Sequence, residues 1–190
     1  MLTRRLYMLI AILAISMPGI LPAQGEPDPA LIALLRDAAS ETDSFADHFA
    51  AQVWLTDMSA RLQRQVGNPQ ERVEILTRVH YEATRAELPP ELVLAVIDVE
   101  SNFDRFAISV AGARGLMQIM PFWLKEIGRP EDNLMHIDTN LRFGCTILKY
   151  YMDMEKGDLN RALGRYNGSL GKRKYPNKVL DKLRLKWFRV

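Results

Sequence analysis

LVLAVIDVESNFDRFAISVAGARGLMQIMP, residues 92–121, is the stretch on which the reading of this chain turns. Pro90, just before it, fits the first turn of a helix, where a missing N–H is no loss. From Leu92 to Val99 only Asp98 is polar, so a helix here is buried on most sides. Residues two apart do not share a helix face, so Asp98 and Glu100 diverge and Glu100 stands alone where the buried helix runs out. Burial disfavours a charged carboxylate and raises its pKa. A Glu kept protonated near neutral pH can hand a proton to a leaving oxygen, the step that breaking a glycosidic bond requires. An isolated Glu after an apolar helix is more often a cap or a salt-bridge partner. The next twenty residues separate the two readings. Ser101-Asn102 ends the helix, Gly112 and Gly115 permit a tight backbone path, and Leu116, Ile119 and Met120 enclose one polar residue, Gln118. Pro121 then limits how the segment continues.

Taken whole, the string resembles one family, the soluble lytic transglycosylases, whose catalytic domain has a goose-type lysozyme-like fold. The family pattern is Glu-Ser, a short loop with Ser and Gly, then Gly-Leu-Met-Gln-x-Met-Pro. Here it stands as Glu100-Ser101, Ser109-Val110-Ala111-Gly112-Ala113 and Gly115-Leu116-Met117-Gln118-Ile119-Met120-Pro121, and the resemblance covers about residues 69–180. It implies an all-α chain, a lysozyme-like (goose-type) helical domain with an N-terminal helical extension. It implies action on peptidoglycan, with the N-acetylmuramyl to N-acetylglucosamine bond at Glu100. Glu100 then serves as acid and afterwards as base, and the muramyl C6 hydroxyl closes onto C1 to give a 1,6-anhydro product. Ser109, Gln118 and Met120 match positions that line the cleft. Ser109 and Gln118 are expected to hydrogen-bond acid or sugar, and Met120 to form an apolar wall.

Further along, Arg165-Tyr166-Asn167-Gly168-Ser169 stands where the family usually has Ala-Tyr-Asn-Ala-Gly. By resemblance, Tyr166 lines the site and hydrogen-bonds near the acid, while Asn167 orients the loop or the sugar. The Gly-Ser exchange alters the loop backbone. Asn140, Leu141 and Gly144 fit the family's Asn-apolar-x-x-Gly element, in which Gly144 allows close helix packing. Ordinary glycosidases use a pair of carboxylates. No second acid has usable spacing here, because Asp98 diverges and Asp104 lies past the helix end. A lone acid suits a reaction in which the sugar supplies its own nucleophile. Two other readings stay open: a hydrolytic muramidase on the same fold, with Asp132 or Asp138 brought in by folding, and a non-catalytic peptidoglycan-binding or assembly module.

The rest of the chain frames this centre. With 190 residues, 48% of them hydrophobic, it can bury a sizeable core in one domain plus attachments. Residues 1–23 have the layout of a secretory signal peptide: Arg4 and Arg5, an apolar run, then Pro18-Gly19 and Pro22-Ala23. The run is short for a transmembrane helix, although an uncleaved anchor is the alternative. The expected location is therefore exported and periplasmic. Residues 24–66 read as a linker and a helical arm, with Val53, Trp54, Met58 and Leu62 at helix-like spacing. Residues 67–190 read as the catalytic domain. There Asn68-Pro69 opens a helix to about Ala86, with Val73, Leu76, Val79 and Ala83 on one side and His80 beside them as a packing residue. Asp138-Thr139-Asn140 is expected to cap a helix from Leu141 to about Met154.

From Lys172 the chain turns basic, with eight Lys and Arg against Asp181 alone. A solvated helix face is the plain explanation. The functional one is attraction to an anionic cell-wall or membrane surface. An exported chain makes nucleic acid an improbable partner. The single cysteine, Cys145, cannot form an internal disulfide and sits in an apolar pattern that buries it. His48, His80 and His136 lack metal-ligand spacing. No His-Glu-x-x-His, phosphate loop or nucleophile elbow occurs, so neither a metal nor a cofactor is expected.

Overall fold

The structure, a computed structural model, describes residues 29–40 and 43–188. The expected signal segment, most of the linker and Arg189 lie outside the described residues. Among those residues the protein is helical throughout, as expected: α1 (Pro29–Ser40), α2 (His48–Leu62), α3 (Pro69–Arg85), α4 (Pro90–Glu100), α5 (Trp123–Ile127), α6 (Ile137–Met154), α7 (Leu159–Tyr166) and α8 (Lys174–Lys182), then a π-helical turn, Leu183–Trp187. Among the described residues extended pairing is confined to two isolated bridges, Ile108 with Arg114 and Arg114 with Ile119.

The chain packs around α4. Leu92 to Ile97 are all buried, and Val93 to Ile97 have no exposed surface. Each such aliphatic side chain contributes on the order of 1.5–3 kcal/mol on leaving water. Helices α3 and α8 and the π-helical turn lie against α4. The helix starts are set locally. Asn68 Oδ1 accepts the Glu71 N–H at 2.9 Å ahead of Pro69, and Pro90 opens α4 in its first turn.

The stretch from 30 to 66, expected to be helical, holds the two helices α1 and α2, with a turn through residues 43–47 before α2. On α2 the buried stripe is Ala51, Leu55, Met58 and Leu62, while Val53 is exposed. Helix α6 starts at Ile137, and Asp138-Thr139-Asn140 do not cap it: they lie inside its first turns. Asp138 instead pairs with Arg78 at 2.9 Å, and the Asn140 amide is turned to tertiary hydrogen bonds.

The basic C-terminal stretch divides. Lys182 Nζ and Lys186 Nζ reach Asp98 Oδ1 and Oδ2 at 2.6 and 2.9 Å, with Trp187 Nε1 donating to Oδ2 at 3.2 Å. Burial pushes the Asp98 carboxyl up, but the hydrogen bonds and charges of the two lysines outweigh it and hold the pKa below the ordinary value. Arg61 of α2 donates to the Lys186 carbonyl at 2.6 Å. These contacts latch residues 182–187 to α4 and to α2.

Candidate active site

Glu100 is the last residue of α4, and the backbone turns sharply after it. Asn102 and Phe103 have φ of 51° and 67°, the left-handed region that non-glycine residues enter at a cost. Tertiary contacts hold the turn. Ser101 Oγ donates to the Leu116 carbonyl at 2.8 Å, and Phe103 is buried against Trp187 with ring centroids 5.4 Å apart.

Residues 107–119 fold back as a tight double turn. Ser109 and Ala113 close one end, with Ser109 N donating to the Ala113 carbonyl and Ala113 N to Ser109 Oγ, both at 3.0 Å. Arg114 and Ile119 exchange N–H bonds at 3.0 and 2.9 Å around the tip, residues 115–118. Leu116, Met117 and Ile119 turn into the core. Gln118, at φ 50°, donates its amide Nε2 to the carbonyls of Ala107 and Gly115 at 3.1 and 3.0 Å.

Helix α6 supports this tip from beneath. The Asn140 amide donates to the carbonyls of Arg114 and Leu134 and accepts the Met117 N–H, each at 2.8 Å. Gly115, at φ +72°, leaves room for it: a Cβ there would stand 2.3 Å from Asn140 Nδ2. Gly144 allows the helix its close approach, since a Cβ at that position would stand 2.1 Å from Met117 Sδ.

Two hollows meet at Glu100 and Asn167. One, of about 290 Å³, is lined by Ser109, Gln118, Met120, Trp123 and Tyr166 among others. The second, of about 350 Å³, is lined by Val99, Ser169, Lys172, Lys174, Tyr175 and Lys178. All six residues singled out in the sequence therefore border this cleft: Glu100, Ser109, Gln118, Met120, Tyr166 and Asn167. Glu100 is half-buried, and desolvation pushes its carboxyl up to about 7 despite an opposing hydrogen bond. That bond comes from Tyr175, whose hydroxyl donates to Glu100 Oε1 at 2.5 Å. Nothing in the sequence singles out Tyr175. The Tyr166 hydroxyl goes to the Met117 carbonyl at 2.8 Å, which anchors the tip beside the acid. Burial raises the pKa of both tyrosines, with the Glu100 charge adding to it, so both are neutral donors.

Among the described residues no second carboxylate lines either hollow. Asp132 is bound by Arg142 at 2.6 Å and by the Arg129 N–H at 2.8 Å, and Asp138 by Arg78. Among the described residues no group of His, Cys, Asp or Glu is arranged to hold a metal ion.

Residues 78–186 match a family model described as the transglycosylase SLT domain. A transglycosylase of Enterobacteria phage PRD1 is 33% identical over an alignment of 105 residues that covers 52% of this chain and 38% of the phage protein. Among solved structures, an inactive mutant of the lytic transglycosylase Slt from Pseudomonas aeruginosa is similar at 22% identity and a TM-score of 0.46, over 85% of this chain and 32% of that one. The 70 kDa soluble lytic transglycosylase of Escherichia coli is similar at 19% identity and a TM-score of 0.42, over 76% of this chain and 26% of its own. The chain thus spans well under half the length of each of these proteins.

Proposed function

The chain belongs to the transglycosylase SLT-domain family, whose model covers residues 78–186, and from that premise we propose that it is a peptidoglycan lytic transglycosylase with Glu100 as its single acid and base. The observation that carries this reading is the solitude of Glu100: one carboxyl, raised to about 7, in a cleft with no second carboxylate. Hydrolysis by an ordinary glycosidase needs a partner acid as nucleophile or water activator. A lone acid suffices when the substrate supplies the nucleophile.

In the proposed reaction the Glu100 carboxyl protonates the glycosidic oxygen between N-acetylmuramic acid and N-acetylglucosamine. The C1–O bond breaks, and the muramyl N-acetyl oxygen stabilises the cation at C1. The Glu100 carboxylate then takes the proton of the muramyl C6 hydroxyl as O6 bonds to C1. Glu100 ends protonated, no water is consumed, and the product carries a 1,6-anhydromuramyl end. The Tyr175 hydroxyl holds the carboxyl in place, and Tyr166 fixes the tip that carries Gln118. Ser109 and Asn167 are the polar groups proposed to meet the sugar, with Met120 as the apolar wall. Such a reaction takes place where peptidoglycan lies, outside the cytoplasmic membrane. Among the described residues no helix is long and apolar enough to cross a membrane.

The test is product analysis by mass spectrometry of purified peptidoglycan digested with the protein. Anhydromuramyl ends are expected, and reducing muramyl ends would reject the proposal in favour of a hydrolase. Glu100→Gln keeps the shape and the oxygen that accepts from Tyr175 but cannot supply the proton. It is expected to slow release by on the order of 10²–10⁴-fold.

A further inference from the structure

The two hollows that meet at Glu100 differ in charge, and this difference carries an inference that rests on, and deepens, the proposed function. The hollow bounded by Ser109, Gln118 and Met120 has uncharged walls apart from Glu100 itself. The other is walled by Lys172, Lys174 and Lys178. All three lysines are exposed, and among the described residues no carboxylate pairs with them, in contrast to Lys182 and Lys186, which are spent on Asp98. The acidic groups nearest in sequence are engaged elsewhere: Asp181 with Arg184, Asp158 as the cap of α7, accepting the Arg161 N–H, and Glu155 with Arg161 and Arg165. Glu100, half protonated near neutral pH, does little to offset the lysines. The wall therefore carries close to three uncompensated positive charges on one side of the acid.

The sugars of a glycan strand are uncharged in their rings, so such a wall has no use for the sugar backbone alone. In peptidoglycan every second sugar bears a lactyl-linked peptide with free carboxylates. We propose that Lys172, Lys174 and Lys178 form a subsite for the carboxylates of that peptide stem, so that the protein favours glycan still carrying stems over stripped glycan. Exposed Lys–carboxylate pairs are weak singly, and three of them acting on one mobile stem give a preference of about tenfold. The preference is electrostatic and shrinks as salt is added.

Binding separates this proposal from the proposed reaction. The Glu100→Gln protein is titrated with soluble glycan strands bearing their peptides, and with the same strands after enzymatic removal of the peptides. Tighter binding of the stem-bearing strands by about tenfold at low salt is expected. Adding K172Q, K174Q and K178Q together brings the ratio close to one, whereas K172R, K174R and K178R keep it. An unchanged ratio in the glutamine variant, an equal loss of affinity for both polymers, or no stem-dependent binding at all overturns the subsite. Whether the wild-type protein makes anhydromuramyl ends is read separately by mass spectrometry. A negative result there removes the proposed reaction and leaves the binding ratio as it stands.

Discussion

Asp98 and Glu100 stand two residues apart on α4 and are put to opposite electrostatic use. Asp98 lies between two lysines and stays ionised. Glu100 meets only a neutral hydroxyl and holds its proton up to about pH 7. That the two side chains point apart is legible in the sequence, because two residues at 100° each land on nearly opposite faces; the lysine partners of Asp98, which come from far along the chain, are not. Tyr175 is not legible. It sits 75 residues from the acid inside a lysine-rich run, and no local period distinguishes it. The geometry predicts what Tyr175→Phe does. The lost hydrogen bond favoured the charged carboxylate, so the Glu100 pKa rises further, by up to about one unit. The alkaline limb of the pH profile for kcat on glycan is expected to move up by that amount, with kcat reduced because the carboxyl loses its anchor. An unshifted limb would mean that Tyr175 only packs.

At the scale of elements, the tip at residues 115–118 depends on α6 more than on its own sequence. The start of α6 is hard to read locally because Asp-Thr-Asn looks like a cap, whereas Asn140 spends its amide on the backbone of three other residues. No local pattern encodes a hydrogen bond across 26 residues. The role of Gly144 is implied by the resemblance, through the Asn-apolar-x-x-Gly element, and the close approach to Met117 agrees with it. Gly144→Ala puts a methyl into Met117, and overpacking of this kind costs about 1–3 kcal/mol. The same collision pushes the Met117 carbonyl off the Tyr166 hydroxyl. A lower Tm together with a raised KM on glycan is therefore expected. A lower Tm with KM unchanged would separate the packing contact from the site. The N-terminal arm is legible as helix, but the position of the turn before α2 is not, because that turn is held by contacts of Ser44 and Phe45 with His80 of α3.

At the scale of the whole molecule, two titrating groups act on stability in opposite directions. His80 of α3 stacks on Phe45 of the turn before α2, with centroids 3.4 Å apart, and its Nδ1 lies 2.8 Å from Ser44 Oγ. Burial lowers its pKa from 6.5 to about 4. The folded protein therefore refuses a proton that the unfolded chain accepts, and His80 makes stability fall as pH drops from about 6.5 towards 4. Glu100 does the reverse. Its pKa is raised from 4.5 to about 7, so the folded protein keeps a proton that the unfolded chain releases, and stability falls as pH rises across that window. Between about 4.5 and 6.5 the two slopes oppose each other, each at most about 1.4 kcal/mol per pH unit and reduced by partial exposure. The wild-type protein is expected to show little net pH dependence from this pair. Glu100→Gln uncovers the histidine, so its Tm should climb from pH 4.5 to 6.5 and its gain over wild type should be largest above pH 7. His80→Phe keeps a ring on Phe45 and uncovers the acid, so its Tm should decline over the same range. Thermal melts of the two variants that ran parallel to wild type would mean that neither group is shielded from solvent in the folded protein, and the acid at position 100 would then lack the proton on which the proposed reaction depends.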